Sequence, residues 1–565
     1  MTSNNTPNDI LIIGSGVAGA AIAQKILEQH PNAKITMLEA GGKMKMRDFA
    51  LHQDYLVTGN MPYDYYHDFA YPNRDTAGEN ESLGKTMLPM QGSRLLMYGG
   101  STVHWGGWSF RLKPEDFELK TRIAKTSQHL SGNYDLIDWP ISYSDLEPFY
   151  CEAEHYIGVS GDSNDTTSPR SAAYPYPAFP YTLEDKPSIE AMQSLGIKYS
   201  HMPIARHGLT ASESTHPPCQ TTGTCKYCPF GARYAAANYL DDIQTFYDYP
   251  NFSIITNAAV ESLIMTNKHK VSGVHYIDKN IDQHATQTLH ADLVILAAGA
   301  IESSKILLRS QNDFWPKGLG NDKDLVGRNL ITHPYLMFEA ELPENPLGLI
   351  PEMDFPTMVS RHFDSPEEQS EGKYIIVNPP SSIGVKLAQE MQNGKPLNVI
   401  RDELTGKTKL QLHALVEIFS QRDNRLSNVS KRNHIGLQET AINFDQGPDF
   451  EVRIAQIQTE IDKIFTAMGA HNTKLKTISW RADHAACTTR MAHSSSEGVV
   501  DKNLKVFDVE NLFICSNSSF SSLGAVNPTL TLTSLALRLA HHINENVLPN
   551  RQAEAGNNIA IHEAN

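Results

Sequence analysis

No apolar run in the chain approaches the roughly 20 residues that a membrane-crossing helix needs, and no cluster of Lys and Arg offers a surface to a phosphate backbone. The 565 residues carry a formal net charge of −16, so binding to nucleic acid, which rests on clustered cations, is excluded as a function class. Cysteines number only six in 565 residues, and with an ordinary apolar fraction they do not describe a small scaffold stapled by disulfides. The opening MTSNNTPND has no basic segment, apolar core or twin-arginine pair, so no export signal is expected on the chain itself. Internal repeats and low-complexity tracts are lacking as well, which removes repeat architectures.

What remains is a globular chain too long for one core; its length allows two to four lobes, and two interleaved domains fit it. From Asp9 to Gly42 the pattern reads strand, tight turn, amphipathic helix, strand, one βαβ unit. A second apolar strand, Leu293 to Ala298, runs into Gly299 and the helical AIESSKILL. It lies far from the first unit in sequence, so the nucleotide domain is expected to be discontinuous. Ser131 to Pro218 is rich in Pro, Tyr and Ser and reads as a cap or substrate lobe. Two runs, LQLHALVEIFS and IGLQETAINF, suggest antiparallel strands, and a helix is expected from about Thr529 to Asn544.

Three motifs carry chemistry. In G-S-G-V-A-G, Gly14 permits the turn, Gly16 lets backbone approach a pyrophosphate, and Gly19 lets helix pack on strand. Glu39, twenty residues after Gly19 and at the end of the next strand, is placed to hold a ribose hydroxyl. An acid there suits FAD or NAD rather than NADP. The second motif, Y-G-G-S-T-V-H-W-G-G, brackets His104 and Trp105 between paired glycines, as where backbone lies against something flat. It is otherwise an ordinary glycine loop. The third joins D-H-A-A-C-T-T-R-M to G-A-V-N-P-T-L-T-L. Asn527 reads as an N-cap and Pro528 as the first helical residue, aiming a helix's positive end into a site.

Cys219, Cys225 and Cys228 stand in C-x5-C-x2-C-P, where three thiolates can converge on one inorganic centre. An iron–sulfur cluster, a structural zinc with His216 as fourth ligand, and a disulfide plus a thiol all fit this spacing.

The amino-terminal fingerprint, the GGST-HWGG loop, the A-A-G-A-I-E-S-S-K-I-L-L segment, the N-R at Asn424 and Arg425, and the His484/Asn527 ending together resemble the glucose-methanol-choline (GMC) family of FAD-dependent oxidoreductases. The resemblance implies an α/β fold: a discontinuous Rossmann-type FAD-binding domain (8–130, 219–335, 478–545) and a substrate-binding domain with an antiparallel sheet backed by helices (131–218, 336–477). The termini, 1–7 and 549–565, are expected to be flexible. It implies His484 as catalytic base and Asn527 as its hydrogen-bonding partner, with Val260 meeting the adenine through backbone groups. Arg94, Gly99, Gly100, Ser101, His104, Asn517, Pro528 and Thr529 are expected beside the cofactor. A covalent FAD link through His104 is not expected, because S-T-V-H-W carries one residue more than the S-T-H-W loop of pyranose oxidases.

The cysteine pattern resembles that of bacterial FAD/iron–sulfur sugar dehydrogenase large subunits, on the glucoside 3-dehydrogenase side. By that resemblance the three cysteines hold a [3Fe-4S] cluster. The implied reaction oxidises a sugar or glycoside secondary alcohol to a ketone, electrons passing to a cytochrome c-type acceptor. A small twin-arginine-signal partner and periplasmic co-export are the corresponding expectations. An oxidase handing electrons to oxygen, a glucose 1-dehydrogenase, a flavin-binding module without turnover, and a cytoplasmic location are the alternatives.

Overall fold

The computed structural model describes residues 9–63, 69–70, 90–91, 94–125, 130–210, 216–222, 224–225, 227–281, 285–342, 353, 355–365, 372–379, 390–405 and 409–549. The expected flexible termini, Pro549 apart, lie outside the described residues. In chain order, the elements that position the cavity described below are β1 (Asp9–Ile13), α1 (Val17–Gln29), β2 (Lys34–Leu38), β3 (Phe252–Ile255), β4 (Leu293–Leu296), α2 (Gly299–Arg309), β5 (Pro334–Glu341), β6 (Tyr374–Val377), β7 (Lys409–Val416), α3 (Phe450–Ala467), β8 (His471–Arg481), β9 (Leu512–Ile514) and α4 (Thr529–His542).

A five-stranded parallel sheet runs in the order β9-β4-β1-β2-β3. Its central strands are apolar along their length, with Ile10 to Ile13 and Leu293 to Leu296 all buried, as strands covered on both faces must be. Helix α1 lies against β1 through small residues, Ala18 to Ala23, and at Gly19 a methyl group would collide with the Gly14 carbonyl. The loops at the carboxyl ends of β1 and β4 meet there, which is where open α/β sheets bind their ligands.

The second sheet has seven strands, ordered Met90–Gln91, β8, β5, β7, β6, Met358–Ser360, Ser200–His201. All neighbours are antiparallel except the short Met90–Gln91 edge. One face carries Leu336, Phe338, Leu412 and Ala414, all buried, toward α3. Helix α3 answers with Ile454, Ile457, Ile461, Ile464 and Phe465 at helical spacing. Burying one such isoleucine contributes about 2 kcal/mol, so Ile461→Asp would detach helix from sheet. The opposite face turns to the cavity.

One expectation is borne out and one needs correction. LQLHALVEIFS and IGLQETAINF both form antiparallel strands, in different sheets. The first enters the seven-stranded sheet between β5 and β6, while Gln438–Asn443 pairs with Arg425–Arg432 in a separate sheet. Alternation specifies a face, not a partner. Asn527, by contrast, is not an N-cap: α4 begins at Thr529 with Pro528 in the capping position at φ −81° and ψ −13°, and no side chain caps it. Leu532 N–H donates to the Pro528 carbonyl at 2.9 Å, closing the first turn. Asn527 is thereby left to turn its amide elsewhere.

Candidate active site

A cavity of about 800 Å³ runs from the β1–α1 turn to the seven-stranded sheet. Of the residues singled out from sequence, Gly14, Gly16, Glu39, Arg94, Gly100, Ser101, His104, Cys225, Val260, His484, Asn517, Asn527 and Thr529 line it. Gly19, Gly99, Pro528, Cys219 and Cys228 are absent from its lining, although Gly99 N–H donates to Ser15 Oγ at 2.9 Å and so fixes the adjoining turn.

At the β1–α1 end the two glycines differ in kind. Gly14 sits at φ +104° with the Ala297 carbonyl where a Cβ would go, so backbone conformation and packing both demand it. Gly16 has an ordinary φ of −67°, and a Cβ there would meet nothing within 4 Å. Neither its backbone nor a protein neighbour calls for glycine; a Cβ would fill open space in the cradle. The first turn of α1 holds no acidic residue and no side-chain cap, which leaves its N–H groups for an anion. Glu39 is buried, accepting from Ser15 N–H at 3.0 Å, Ser15 Oγ at 2.6 Å and Gly41 N–H at 2.8 Å. Burial pushes its carboxyl up, against these hydrogen bonds. These residues fit a dinucleotide: anion-seeking helix end, open cradle, acid at the second strand.

Around the middle of the cavity, the Gly100–Gly107 loop is clamped from behind by Arg233. Its guanidinium donates to the carbonyls of Thr102 at 2.9 Å, Val103 at 2.6 Å and Trp105 at 2.7 Å. Trp105 Nε1 donates to the Tyr234 carbonyl at 2.8 Å. Arg233 was not singled out from sequence; an arginine among small residues in P-F-G-A-R-Y was the only sign. Arg94 pairs with Glu302 at 3.1 Å at the cavity wall, and the Val260 carbonyl accepts from Arg309 at 3.2 Å.

At the far end stand His484 and Asn527, with Asn527 Nδ2 3.2 Å from His484 Nε2. A second histidine completes the array. His333 Nε2 lies 2.9 Å from the Gly524 carbonyl, and His333 Nδ1 lies 3.1 Å from His484 Nδ1. A carbonyl only accepts, so His333 carries its proton on Nε2 and offers a bare Nδ1. Burial, reinforced by His484, pushes His333 down to about 3, so it is neutral. His484 then donates through Nδ1–H, and its Nε2 keeps a free lone pair, to which Asn527 Nδ2–H donates. Burial also lowers His484, holding it ready as a base. Asn527 Oδ1 is buried with no hydrogen-bond partner among the described residues.

The cysteines behave differently. None of the six forms a disulfide, which sets that alternative aside. Among the described residues no group of three or more His, Cys, Asp or Glu is placed to hold a metal ion. Cys219, Cys225 and Cys228 thus form no preassembled ligand set among the described residues. His216 stacks between His207 and Tyr239, at centroid distances of 4.6 and 4.7 Å. The buried Arg206 faces the cysteine loop, with Nη1 3.5 Å from Cys219 Sγ and with Nε and Nη2 lacking hydrogen-bond partners among the described residues. Burial works against its charge while all three thiols favour it.

Two family models described as GMC oxidoreductase match residues 189–335 and 420–536. The fructose dehydrogenase large subunit of Gluconobacter japonicus is 26% identical over 96% of this chain and 99% of its own length. The gluconate 2-dehydrogenase flavoprotein of Pantoea cypripedii is 24% identical, covering 96% of this chain and 94% of its own. A formate oxidase of Aspergillus oryzae RIB40, solved to follow FAD modification, superposes with a TM-score of 0.63 at 14% identity, over 96% of this chain and 99% of that one.

Proposed function

Starting from the chain's membership of the GMC oxidoreductase family, we propose that it is an FAD-dependent dehydrogenase that oxidises a secondary alcohol of a sugar or glycoside to a ketone. The observation that carries this reading is one cavity shared by the Gly14–Gly16 turn and the His484–Asn527 pair. The first suits a dinucleotide and the second an alcohol.

FAD, bound non-covalently, would supply the hydride acceptor. Gly16, the N-terminus of α1 and Glu39 would hold its pyrophosphate and ribose. An alcohol entering between His484 Nε2 and Asn527 gives its hydroxyl proton to the imidazole. Asn527 Nδ2–H, released from Nε2, then donates to the alcohol oxygen and stabilises charge developing there. His333 and Gly524 hold the imidazole so that Nε2 faces the substrate. The buried walls keep water from the reacting carbon.

The glucoside 3-dehydrogenase assignment, with oxidation at C3, belongs to this proposal. So does a [3Fe-4S] cluster at Cys219, Cys225 and Cys228 delivering electrons to a cytochrome c-type acceptor. Its support is the buried Arg206 facing three thiols with no carboxylate paired to it among the described residues, a setting suited to an anionic sulfur centre. Three irons per chain in the purified protein would agree with it; iron-free, fully active protein would overturn it. The same proposal includes a small partner subunit carrying a twin-arginine signal and a periplasmic site. Co-purification with such a subunit from periplasmic extract tests both. An anaerobic screen of mono- and disaccharides with an artificial dye acceptor tests the activity itself, and dye reduction by simple alcohols alone would overturn the sugar reading.

A further inference from the structure

We infer that the sheet floor of the cavity carries a recognition site for a second, non-reacting hydroxyl of a polyol substrate, built from His413 and Tyr335. The inference rests on the alcohol-oxidising reading above and specifies how a sugar is told from a simple alcohol.

Strands β5 and β7 pair antiparallel with Tyr335 opposite Leu415, Met337 opposite His413 and Glu339 opposite Gln411. The two-residue period of the strands puts Tyr335, Met337, Gln411 and His413 on one face, and all four line the cavity. The neighbouring positions Leu336, Phe338, Leu412 and Ala414 form the buried opposite face. A sheet of this kind could present hydrocarbon on both sides; here one face of β7 is polar at alternate residues.

The polar groups on this floor are not equivalent. Gln411 Nε2 donates to Glu339 Oε1 at 3.2 Å, and Glu339 is also paired with Lys476. His413 is 6% exposed, with Nδ1 2.8 Å from the Tyr335 hydroxyl. Its Nε2 is buried and has no hydrogen-bond partner among the described residues. Burial, followed by the charge of Lys476, pushes His413 down to about 4, so the ring is neutral and carries one proton. If that proton sat on Nδ1, the Tyr335 O–H and the bare Nε2 would both go unmatched. With Tyr335 donating to Nδ1, only the Nε2–H is left over, which is the arrangement with fewest buried unsatisfied groups. A buried donor without an acceptor is costly, and a substrate hydroxyl oxygen in the cavity supplies the acceptor. His484 and Asn527 take the reacting hydroxyl elsewhere in the same cavity, so the ligand that satisfies both places carries at least two hydroxyls.

The test uses FAD-loaded protein mixed anaerobically with methyl glucoside, its monodeoxy analogues, or cyclohexanol, reading both the apparent Kd and the limiting rate of flavin bleaching. For His413→Phe the loss in rate over Kd with methyl glucoside is expected to be roughly 10–100-fold. It should lie mainly in Kd and exceed the loss with cyclohexanol at least about tenfold. One monodeoxy analogue should show that same penalty with wild type and no further penalty with His413→Phe. His413→Gln, which retains a donor, should recover part of the loss, and Tyr335→Phe, which frees the tautomer, should show a smaller loss in the same direction. Equal losses for sugar and cyclohexanol, or deoxy penalties that persist in His413→Phe, would overturn the subsite alone. Wild type bleached by cyclohexanol but by no sugar would overturn the sugar reading with it.

Discussion

His333 Nδ1 lies 3.1 Å from His484 Nδ1, with the two rings nearly perpendicular at 84°. Because the Gly524 carbonyl accepts from His333 Nε2–H, the ring's single proton, and leaves Nδ1 bare, one backbone oxygen dictates which nitrogen of His484 is basic. In His333→Ala the His484 ring loses the acceptor that selects its tautomer. Flavin reduction in that variant should slow about 10–100-fold, in limiting rate rather than in substrate Kd, the size expected for disturbing a general base without removing it. His333→Gln, which can still accept, should recover part of the rate. A loss confined to Kd would show that His333 only shapes the pocket.

Removing the base itself should cost more. His484→Ala is expected to lower the limiting rate about 10²–10⁴-fold, and Asn527→Ala roughly 10-fold, each with flavin content preserved. Stopped-flow bleaching under nitrogen measures both. If the two variants were equally impaired and the double variant no worse, His484 and Asn527 would act as one unit rather than as base and oxyanion donor.

Gly16→Val and Gly14→Ala separate ligand from fold. A Cβ at residue 16 meets nothing within 4 Å, so Gly16→Val should purify without flavin and unfold at the melting temperature of flavin-free wild type. Gly14→Ala forces a methyl group into the Ala297 carbonyl at positive φ and should lower the melting temperature further. Absorbance of the purified variants and their thermal unfolding decide it; yellow Gly16→Val would remove the cradle assignment.

Two buried neutral histidines make the protein sensitive to acid. His333, facing His484 and Asp483, is pushed down to about 3, and His413, facing Lys476, to about 4. Both titrate near 6.5 when unfolded. The unfolded chain therefore binds more protons between pH 6.5 and 4, and stability falls as pH drops through that window. Each group should remove about 2 kcal/mol between pH 7 and pH 5. Urea unfolding at those two pH values should show His413→Gln losing less than wild type by about that amount. Equal losses would mean His413 is already protonated in the fold.

The sequence made the parallel sheet legible because its signals are local: apolar β1 and β4, glycines at one turn, an acid closing β2. His484 and Asn527 were legible through the family pattern, and the structure brings them within hydrogen-bonding distance. Other features depend on partners far away in the chain. His333, in I-T-H-P, acquires meaning only from Gly524, 191 residues later. Gln411 and His413 did leave a trace, as polar residues alternating with Leu410, Leu412 and Ala414. That alternation announced a strand without saying what its polar face would meet. Asn527 misled because an Asn-Pro start satisfies helix capping as well as it satisfies His484, and only tertiary contact decides between them.

Anaerobic addition of a sugar to the purified yellow protein tests the central claim most directly. Bleaching of the flavin bands within the mixing experiment, abolished by His484→Ala and reversed only slowly by air, is the predicted result. Flavin that stays oxidised with every sugar tried, in protein whose bands bleach normally with dithionite, would contradict the account.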